Sequence, residues 1–573
     1  MWKLTPGQWP AHWRLFILGW ILILAGSISA HLVQTIGGIK IQDLRFTGAE
    51  GRTLSALLYI PPNASSSTPA PGVLAVHGYI NSREVQSGFA IELARRGYVV
   101  LALDQGGHGY SDPPAFAAGF GGPAALQYLR NLDIVDENNI GLEGHSMGGW
   151  TVLAAAGAYP DAYQSIVLQG SSTGSGFAAP GTAEWPRNVA VVFSQYDEFA
   201  PLMWEVPRAL DVANSSKLQT LFGTDSRVVE GQVYGDINAG TARVLHSPPV
   251  THPGNHLSHA AIGHTIDWFA DTLDGGYSAR GQIWFFKELA TLTALIGFVV
   301  LLPGSARLLL STRPFQPLLQ SPDSHAWPER SRGWWLLALA GAALPVVTFY
   351  PFLGWGGALL PASALKPQAI TNQIAFWALL TGLILWLPGM FLRFGQVRFQ
   401  HQIRLSVLLA LATVALAYLS VLLTDFLFKV DFRFWFVGVK ALSLGQFQMM
   451  LIYLIPFTAF FLMALRALHA GLSVPDASFW RSALFNVGIM AGGFALFLLL
   501  QYASLFGRGL LLTPGQPLNT VIMIQFVPLM SIVALISTYT WRLTASYLPG
   551  ALISALFVSW YVVAGQATQF AAG

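Results

Sequence analysis

Nine apolar runs, each of roughly the length needed to cross a bilayer, constrain this chain more than any other feature. A hydrocarbon core about 30 Å thick takes about 20 consecutive apolar residues of helix. The runs cover residues 15–33, 284–304, 333–352, 373–392, 405–425, 446–465, 483–504, 519–540 and 547–568. The composition agrees. Of 573 residues 53% are hydrophobic and only 10% are charged, against about 25% charged in soluble globular domains. Lys3 and Arg14 precede the first run, and the small residues Ser27-Ile28-Ser29-Ala30 lie within it. A cleaved leader would carry such residues too, but the run has the length of a retained anchor.

The charges are segregated along the chain. Residues 37–281 hold 13 Lys/Arg and 22 Asp/Glu, whereas residues 282–573 hold 16 Lys/Arg and 6 Asp/Glu. The formal net charge of +3 therefore combines an acidic, soluble stretch with a sparse, basic, very apolar one. The basic excess falls in short loops between apolar runs, where it sets membrane topology and gives no sign of nucleic-acid binding. With the N-terminus inside, 12 cations fall on inner segments and 5 (Lys366, Lys429, Arg433, Lys440 and Arg508) on short outer loops. That split predicts a multi-pass protein of the cytoplasmic membrane, with residues 37–281 and the C-terminus on the outer side. The expected division is an anchor at 1–36, a soluble domain at 37–281 and an all-α polytopic domain of about eight spans at 282–573. Asp425, Lys429, Asp431 and Arg433 are expected in a solvated loop at the end of one span. Gly341, Gly382, Gly492 and Gly493 are expected where helices pack closely. No repeat relates the halves of the apolar region, which weakens a transporter reading. Cysteine is absent, excluding disulfides, thiol catalysis and thiolate metal sites.

Between the first two runs, strand and helix patterns alternate. A hairpin is expected at Ile41–Phe46 and Thr53–Ile60, then strands at Val73–Val76, Tyr98–Leu103, Ile140–Glu143, Ser165–Leu168 and Val189–Phe193. Helices are expected at Arg83–Arg96, Gly122–Asn131, Gly148–Gly157 and Ala260–Leu273. Continuous Val/Leu/Ile runs suit strands buried on both faces, and the alternation predicts an α/β fold with a mostly parallel sheet. Ligands of such sheets bind at the carboxyl ends of the strands. The polar residues that could do chemistry follow those ends: His77-Gly78-Tyr79, the loop from Asp104 to Ser111, Ser146, Asp197, and the histidine-rich stretch from His252 to His259.

The segment Leu142-Glu143-Gly144-His145-Ser146-Met147-Gly148-Gly149-Trp150 sets a serine between a strand and a helix with a glycine two positions to either side. A turn that sharp pushes one side chain into an exposed, strained position. Together with His77-Gly78 and the Asp104-x-x-Gly107-His108-Gly109-x-Ser111 loop, this segment resembles the α/β-hydrolase superfamily. The resemblance covers residues from about 41 to 273 and is nearest in flavour to dienelactone-hydrolase-like and cutinase-like serine hydrolases. It implies the chain order nucleophile, acid, histidine, which Ser146, Asp197 and His256 satisfy, with His252 and His259 as the other histidines able to fill the last role. It further implies an oxyanion hole from the backbone N–H groups of Met147 and Tyr79. His145 and His108 are expected to support loops. The histidine cluster raises zinc, but no matching carboxylate cluster or metal-protease spacing accompanies it, so neither metal nor other cofactor is expected.

The implied activity is a membrane-anchored serine hydrolase of carboxylic esters, lipid-like ones among them. Its partners would be a small-molecule or lipid ester and the bilayer, without nucleic acid; nothing in the sequence bears on oligomeric state. The alternatives are a serine peptidase of the same fold and a non-catalytic sensor or transport protein whose hydrolase-like part binds a ligand. The loops Pro113–Gly122 (Phe116, Phe120) and Ser171–Arg187 (Phe177, Trp185) either border an acyl or aromatic pocket or are ordinary mobile loops, and the insertion from Pro201 to Ala242 is a candidate cap.

Overall fold

The computed structural model describes residues 12–279, 281–320, 331–391, 402–472 and 477–570. Lys3, Arg330, Arg393 and Arg398, four of the cations counted on the inner side, lie outside them. In chain order the first part holds α1 (Arg14–Gln34), β1 (Lys40–Thr47), β2 (Thr53–Ile60), β3 (Ala70–Val76), α2 (Ser87–Ala94), β4 (Val99–Asp104), α3 (Gly122–Arg130), β5 (Val135–His145), α4 (Met147–Ala158), β6 (Ser165–Gln169) and β7 (Val189–Val192). There follow α5 (Ala200–Trp204), α6 (Ser216–Phe222), β8 (Arg243–His246) and α7 (His259–Thr272).

The eight strands form one sheet in the order β1-β2-β4-β3-β5-β6-β7-β8. β1, β2 and β4 pair antiparallel, and every pair from β4 onward is parallel. All residues of β3, β4, β6 and β7 are buried, as continuous apolar runs in a parallel sheet should be. Alternate residues serve opposite faces. Leu74, Leu101 and Leu142 pack with residues of α3 and α4, whereas Val73, Val100 and Val167 pack with residues of α2 and α7. Val76 pairs with Leu103 on one side and Gly144 on the other. The strands thus end level, and His77, Gln105 and Ser146 follow along one rim.

The second part is helical: α8 (Trp284–Leu310), α9 (Arg332–Val347), α10 (Phe349–Leu359), α11 (Ala369–Phe391), α12 (Ile403–Phe428), then a hairpin of β9 (Phe432–Phe434) and β10 (Val437–Val439), α13 (Leu444–Leu472), α14 (Phe479–Met490), α15 (Gly492–Arg508), α16 (Pro517–Thr544) and α17 (Leu548–Gly565). Among the described residues seven helices (α1, α8, α11, α12, α13, α16 and α17) are long and apolar enough to cross a membrane. The other two expected runs are bent pairs, α9/α10 at 49° and α14/α15 at 53°, which bring the total to nine if each pair is one span.

α1 lies along α8 at the distance of bare backbones. A Cβ on Gly26 would stand 2.5 Å from the carbonyl of Ala290, and one on Gly304 2.6 Å from the nitrogen of Phe16. Small residues at this spacing let helices associate without a hydrophobic driving force. The same holds for Gly493 beside Ala342, but Gly492 faces open space at the bend.

Loops of the helical part lie against the rim that carries His77, Gln105 and Ser146. The hairpin reaches it through Arg433 Nη2, which donates to Ser82 Oγ at 3.1 Å. Gln446 at the head of α13 donates to the carbonyl of Gly109 (3.0 Å). After α17, Thr568 exchanges backbone hydrogen bonds with Gly107 and Ala115 at 2.8 Å each. Of the charged cluster expected in a solvated loop, Asp425 and Lys429 are half-buried, but Asp431 and Arg433 are buried. Asp431 and Arg433 are 5% and 6% exposed, and they meet a network anchored on Glu84, whose carboxylate lies 3.2 Å from Lys440 Nζ. The pairing spans more than 350 residues of sequence, so local composition carried no sign of it.

Candidate active site

Ser146 occupies the turn between β5 and α4 with φ 55° and ψ −120°, a conformation costly for any residue with a Cβ and held only by its surroundings. The flanking glycines explain why it can be held. A Cβ on Gly144 would stand 2.3 Å from the carbonyl oxygen of Gly148, and one on Gly148 2.1 Å from that of Val76. The Ser146 N–H donates to Gln169 O on β6 at 2.8 Å, fixing the turn to the sheet.

Asp197 follows β7 and is buried. Its Oδ1 accepts the Phe199 N–H at 2.8 Å, and its Oδ2 accepts the Nδ1–H of His252 at 2.8 Å. The expected partner, His256, is elsewhere. Its two ring nitrogens are buried with no hydrogen-bond partner among the described residues, and its ring lies against His145 with centroids 4.2 Å apart. The reason is local. Residues 253–257 wind into a 3-10 turn before α7, which turns the His256 ring against His145 and Phe89 at the cavity wall, while His252 meets Asp197. His259, the third candidate, opens α7 at the surface and stacks near Trp284.

Electrostatics set the histidines apart. Burial opposes charge on His252, but the Asp197 carboxylate and its hydrogen bond outweigh burial, with Glu198 adding to them, and the imidazole is raised above its ordinary range. Burial lowers His256 to about 3, with the neighbouring His252 adding to the shift. His256 is thus a neutral, enclosed ring.

Glu198, adjacent to Asp197, carries no sequence motif of its own. Its Oε2 accepts the backbone N–H of His252 at 2.8 Å, and its Oε1 accepts the hydroxyl of Tyr502, on α15, at 2.8 Å. Burial, reinforced by the charge of Asp197, raises it to about 7. His145 also holds this segment, its Nε2–H donating to the carbonyl of His252 at 3.0 Å.

The turn after β3 is fixed by a chain of hydrogen bonds. His77 Nδ1–H donates to Gly78 O at 2.7 Å, and His77 Nε2 accepts the Gln105 N–H at 3.1 Å. The Gln105 amide also donates to His77 O and accepts from Thr151 Oγ1. Tyr79 follows, beside the head of α4, where the first N–H groups of a helix have no intrahelical acceptor. Neither the Met147 nor the Tyr79 N–H has an acceptor among the described residues, and both residues line the same cavity as Ser146. His108, like His145, serves its loop, bonding to Gly106 O at 3.1 Å.

That cavity has a volume of about 340 Å³, within the usual range for small-molecule sites, about 300–1,000 Å³. Ser146 and His252 face it together with Tyr79, Met147, His145, His256 and, mostly, apolar side chains. Among the described residues Ser146 Oγ has no hydrogen-bond partner; in unliganded sites the serine–imidazole contact is commonly long and tightens with substrate. Phe116 from the first glycine-rich loop and Leu202 and Met203 from α5 contribute walls. From the second loop, Phe177 reaches the site's edge by stacking on Phe116 with centroids 6.3 Å apart. Trp185 packs elsewhere, near Gly157. Phe436, Pro517, Leu518, Val521 and Gln525, from the helical part, complete the enclosure. No sequence signal marked them, because their role depends on how two distant stretches dock.

Residues 71–203 match the family model described as alpha/beta hydrolase fold. The sheet-bearing part of the chain has the α/β-hydrolase fold. The chain is 28% identical over 200 residues to the esterase YjfP of Escherichia coli (strain K12), covering 31% of this chain and 79% of that protein. It is 30% identical over 99 residues to an uncharacterized protein of Mycobacterium tuberculosis, covering 17% of this chain but only 28% of that one. Among solved structures it resembles a dienelactone hydrolase from Anabaena variabilis, with 18% identity, a TM-score of 0.28, and coverage of 41% of this chain and 99% of that one. It also resembles an esterase from Pyrococcus furiosus, with 14% identity, a TM-score of 0.30, and coverage of 41% and 94%.

Proposed function

We propose that the chain is a membrane-anchored serine hydrolase that cleaves carboxylic esters through Ser146, His252 and Asp197. The observation that carries this reading is the 2.8 Å hydrogen bond from His252 Nδ1 to buried Asp197, in a cavity that also holds the strained Ser146. A serine hydroxyl becomes an effective nucleophile when a base takes its proton as it attacks. His252 Nε2 takes that proton while Ser146 Oγ bonds to the acyl carbon, and the carbonyl electrons move onto oxygen. The N–H groups of Met147 and Tyr79 receive the oxyanion; one such donor is worth about 3–4 kcal/mol in other hydrolases. As the tetrahedral species collapses, the ester C–O bond breaks and His252 protonates the leaving alkoxide. Water then attacks the acyl-enzyme by the same steps, releasing the acid and restoring Ser146. Asp197 keeps the imidazole tautomer with hydrogen on Nδ1 and stabilises its cationic form. No step needs a cofactor. The relative named an esterase supports the ester reading.

In this reading residues 1–36 anchor the hydrolase domain (37–281), residues 282–573 form the polytopic domain, and the whole sits in the cytoplasmic membrane with the catalytic part outside. The excess of cations on the opposite loops supports that side. The test is a panel of acyl esters and aminoacyl amides against the purified full chain. Turnover of the esters, absent in Ser146→Ala and in His252→Ala, is the expected result; turnover confined to amides, or unchanged in Ser146→Ala, would overturn it.

A further inference from the structure

The catalytic cavity is not closed by the hydrolase fold itself. Its far wall is the first two turns of α16, with Leu518, Val521 and Gln525 at spacings of three and four residues on one face, and Phe436 of the hairpin beside them. Residues so spaced share one side of a helix. α16 is 28 residues long and is one of the helices apolar enough to span a bilayer.

The depth of that wall follows from helix geometry. At about 1.5 Å per residue α16 is about 42 Å long, so a hydrocarbon core of about 30 Å leaves about 6 Å of helix beyond each boundary. Gln525 lies about 12 Å along the helix from Pro517 by the same rise. For a helix standing upright and centred in the bilayer, the wall starts at the headgroup level and descends about 6 Å into the hydrocarbon level. Gln525, the deepest of the three, has its carbonyl occupied by the Tyr561 hydroxyl at 2.7 Å. The mouth is apolar as well. Leu202, on the cavity rim, is 49% exposed, and Phe177, packed on Phe116, is 69% exposed. Such exposed apolar side chains beside a pocket mark a surface that meets lipid or ligand.

Resting on the esterase reading above, we propose that the substrate is an ester of a membrane-resident amphiphile, whose acyl chain lies against the Leu518–Val521 face of α16 while Ser146 attacks the carbonyl at the headgroup level. On this arrangement the helical part is a specificity wall of the active site as well as an anchor, and the bulk of the side chain at 521 sets the acyl length accepted. Water-soluble short-chain esters use only the upper cavity.

The experiment uses the full chain reconstituted in phosphatidylcholine vesicles and a series of p-nitrophenyl esters from acetyl to palmitoyl. The readout is the ratio of kcat/KM for the dodecanoyl and acetyl esters. Val521→Trp is expected to lower this ratio at least tenfold, and Val521→Ala to move the preferred length upward. Leu496→Trp, on the 60% exposed face of α15 away from the cavity, is expected to leave the ratio within twofold of the unsubstituted chain. Should Val521→Trp fail to fold, Val521→Ala decides. An unchanged length profile in the position-521 variants, with Ser146 still labelled by a serine-directed phosphonate, would overturn the wall proposal and leave the esterase reading standing. A chain that hydrolyses no ester and takes no label would instead overturn the esterase reading.

Discussion

His252 Nδ1 lies 2.8 Å from Asp197 Oδ2, and this pair leaves His256 without an acid to orient it. The two histidines should therefore separate in kinetics. His252→Ala is expected to lower kcat by about 10⁴-fold or more, in line with removal of a triad member elsewhere. His256→Ala is expected to keep measurable turnover while lowering the melting temperature, because it empties a site packed between His145 and Phe89. Steady-state kinetics with thermal denaturation of both variants checks this.

Glu198 makes a pH prediction for catalysis. His252 must be neutral to accept the serine proton, and its basicity is raised, so the acid limb of kcat/KM is expected above pH 6.5. Glu198 is one of the anions raising it. Glu198→Gln should therefore shift that limb to lower pH, which a pH–rate profile of the two proteins reads directly.

The same residue makes a prediction for stability. Glu198 is buried and raised to about 7 in the fold, against an ordinary Glu near 4.3 unfolded. An acid with a raised folded value destabilises progressively as pH climbs from the unfolded value toward the folded one, and fully above it. The penalty at pH 8 is of the order of 3 kcal/mol. Relative to the unsubstituted chain, Glu198→Gln should thus be better tolerated at pH 8 than at pH 5, as melting curves in one detergent at both values would show.

Glu84 is predicted to hold the two parts of the chain together. Its carboxylate, kept well below the ordinary range against burial by Lys440, Arg83 and Arg433, joins a β-sheet loop to the hairpin between α12 and α13. Glu84→Ala leaves the buried Lys440 without its carboxylate partner, whereas Arg83 and Arg433 keep Asp43, Asp104 and Asp431, at a cost of about 3–5 kcal/mol. Faster proteolysis around the hairpin and a lower melting temperature are the expected signs; replacement with neither effect would contradict the assignment.

What the sequence made legible follows how local each signal is. The Gly144–Gly148 segment specifies its own turn, since each glycine is demanded by backbone within a few ångströms, so Ser146 could be read directly. The alternation of buried strands and helices likewise anticipated β1 to β7 and α7 within a few residues. β8 was missed: Arg243–His246 is four residues long, follows a loop-rich insertion, and carries Arg243, buried through hydrogen bonds to the carbonyls of Leu221 and Ala183. That His252, and not His256 or His259, meets Asp197 depends on a 3-10 turn of five residues, which spacing alone does not specify. Glu198–Tyr502 and the α16 wall join residues hundreds of positions apart, and periodicity is silent about such contacts. The apolar runs revealed how many helices to expect, but not the bends near Thr348 and Ala491.

The central claim is that Ser146 is the nucleophile, and covalent labelling tests it most directly. The full chain is treated with a fluorophosphonate and digested, and the modified peptide is identified by mass spectrometry. A single adduct on Ser146, lost in Ser146→Ala and strongly slowed in His252→Ala, is the result expected. Labelling of equal extent in Ser146→Ala, or an adduct on another serine only, would contradict it.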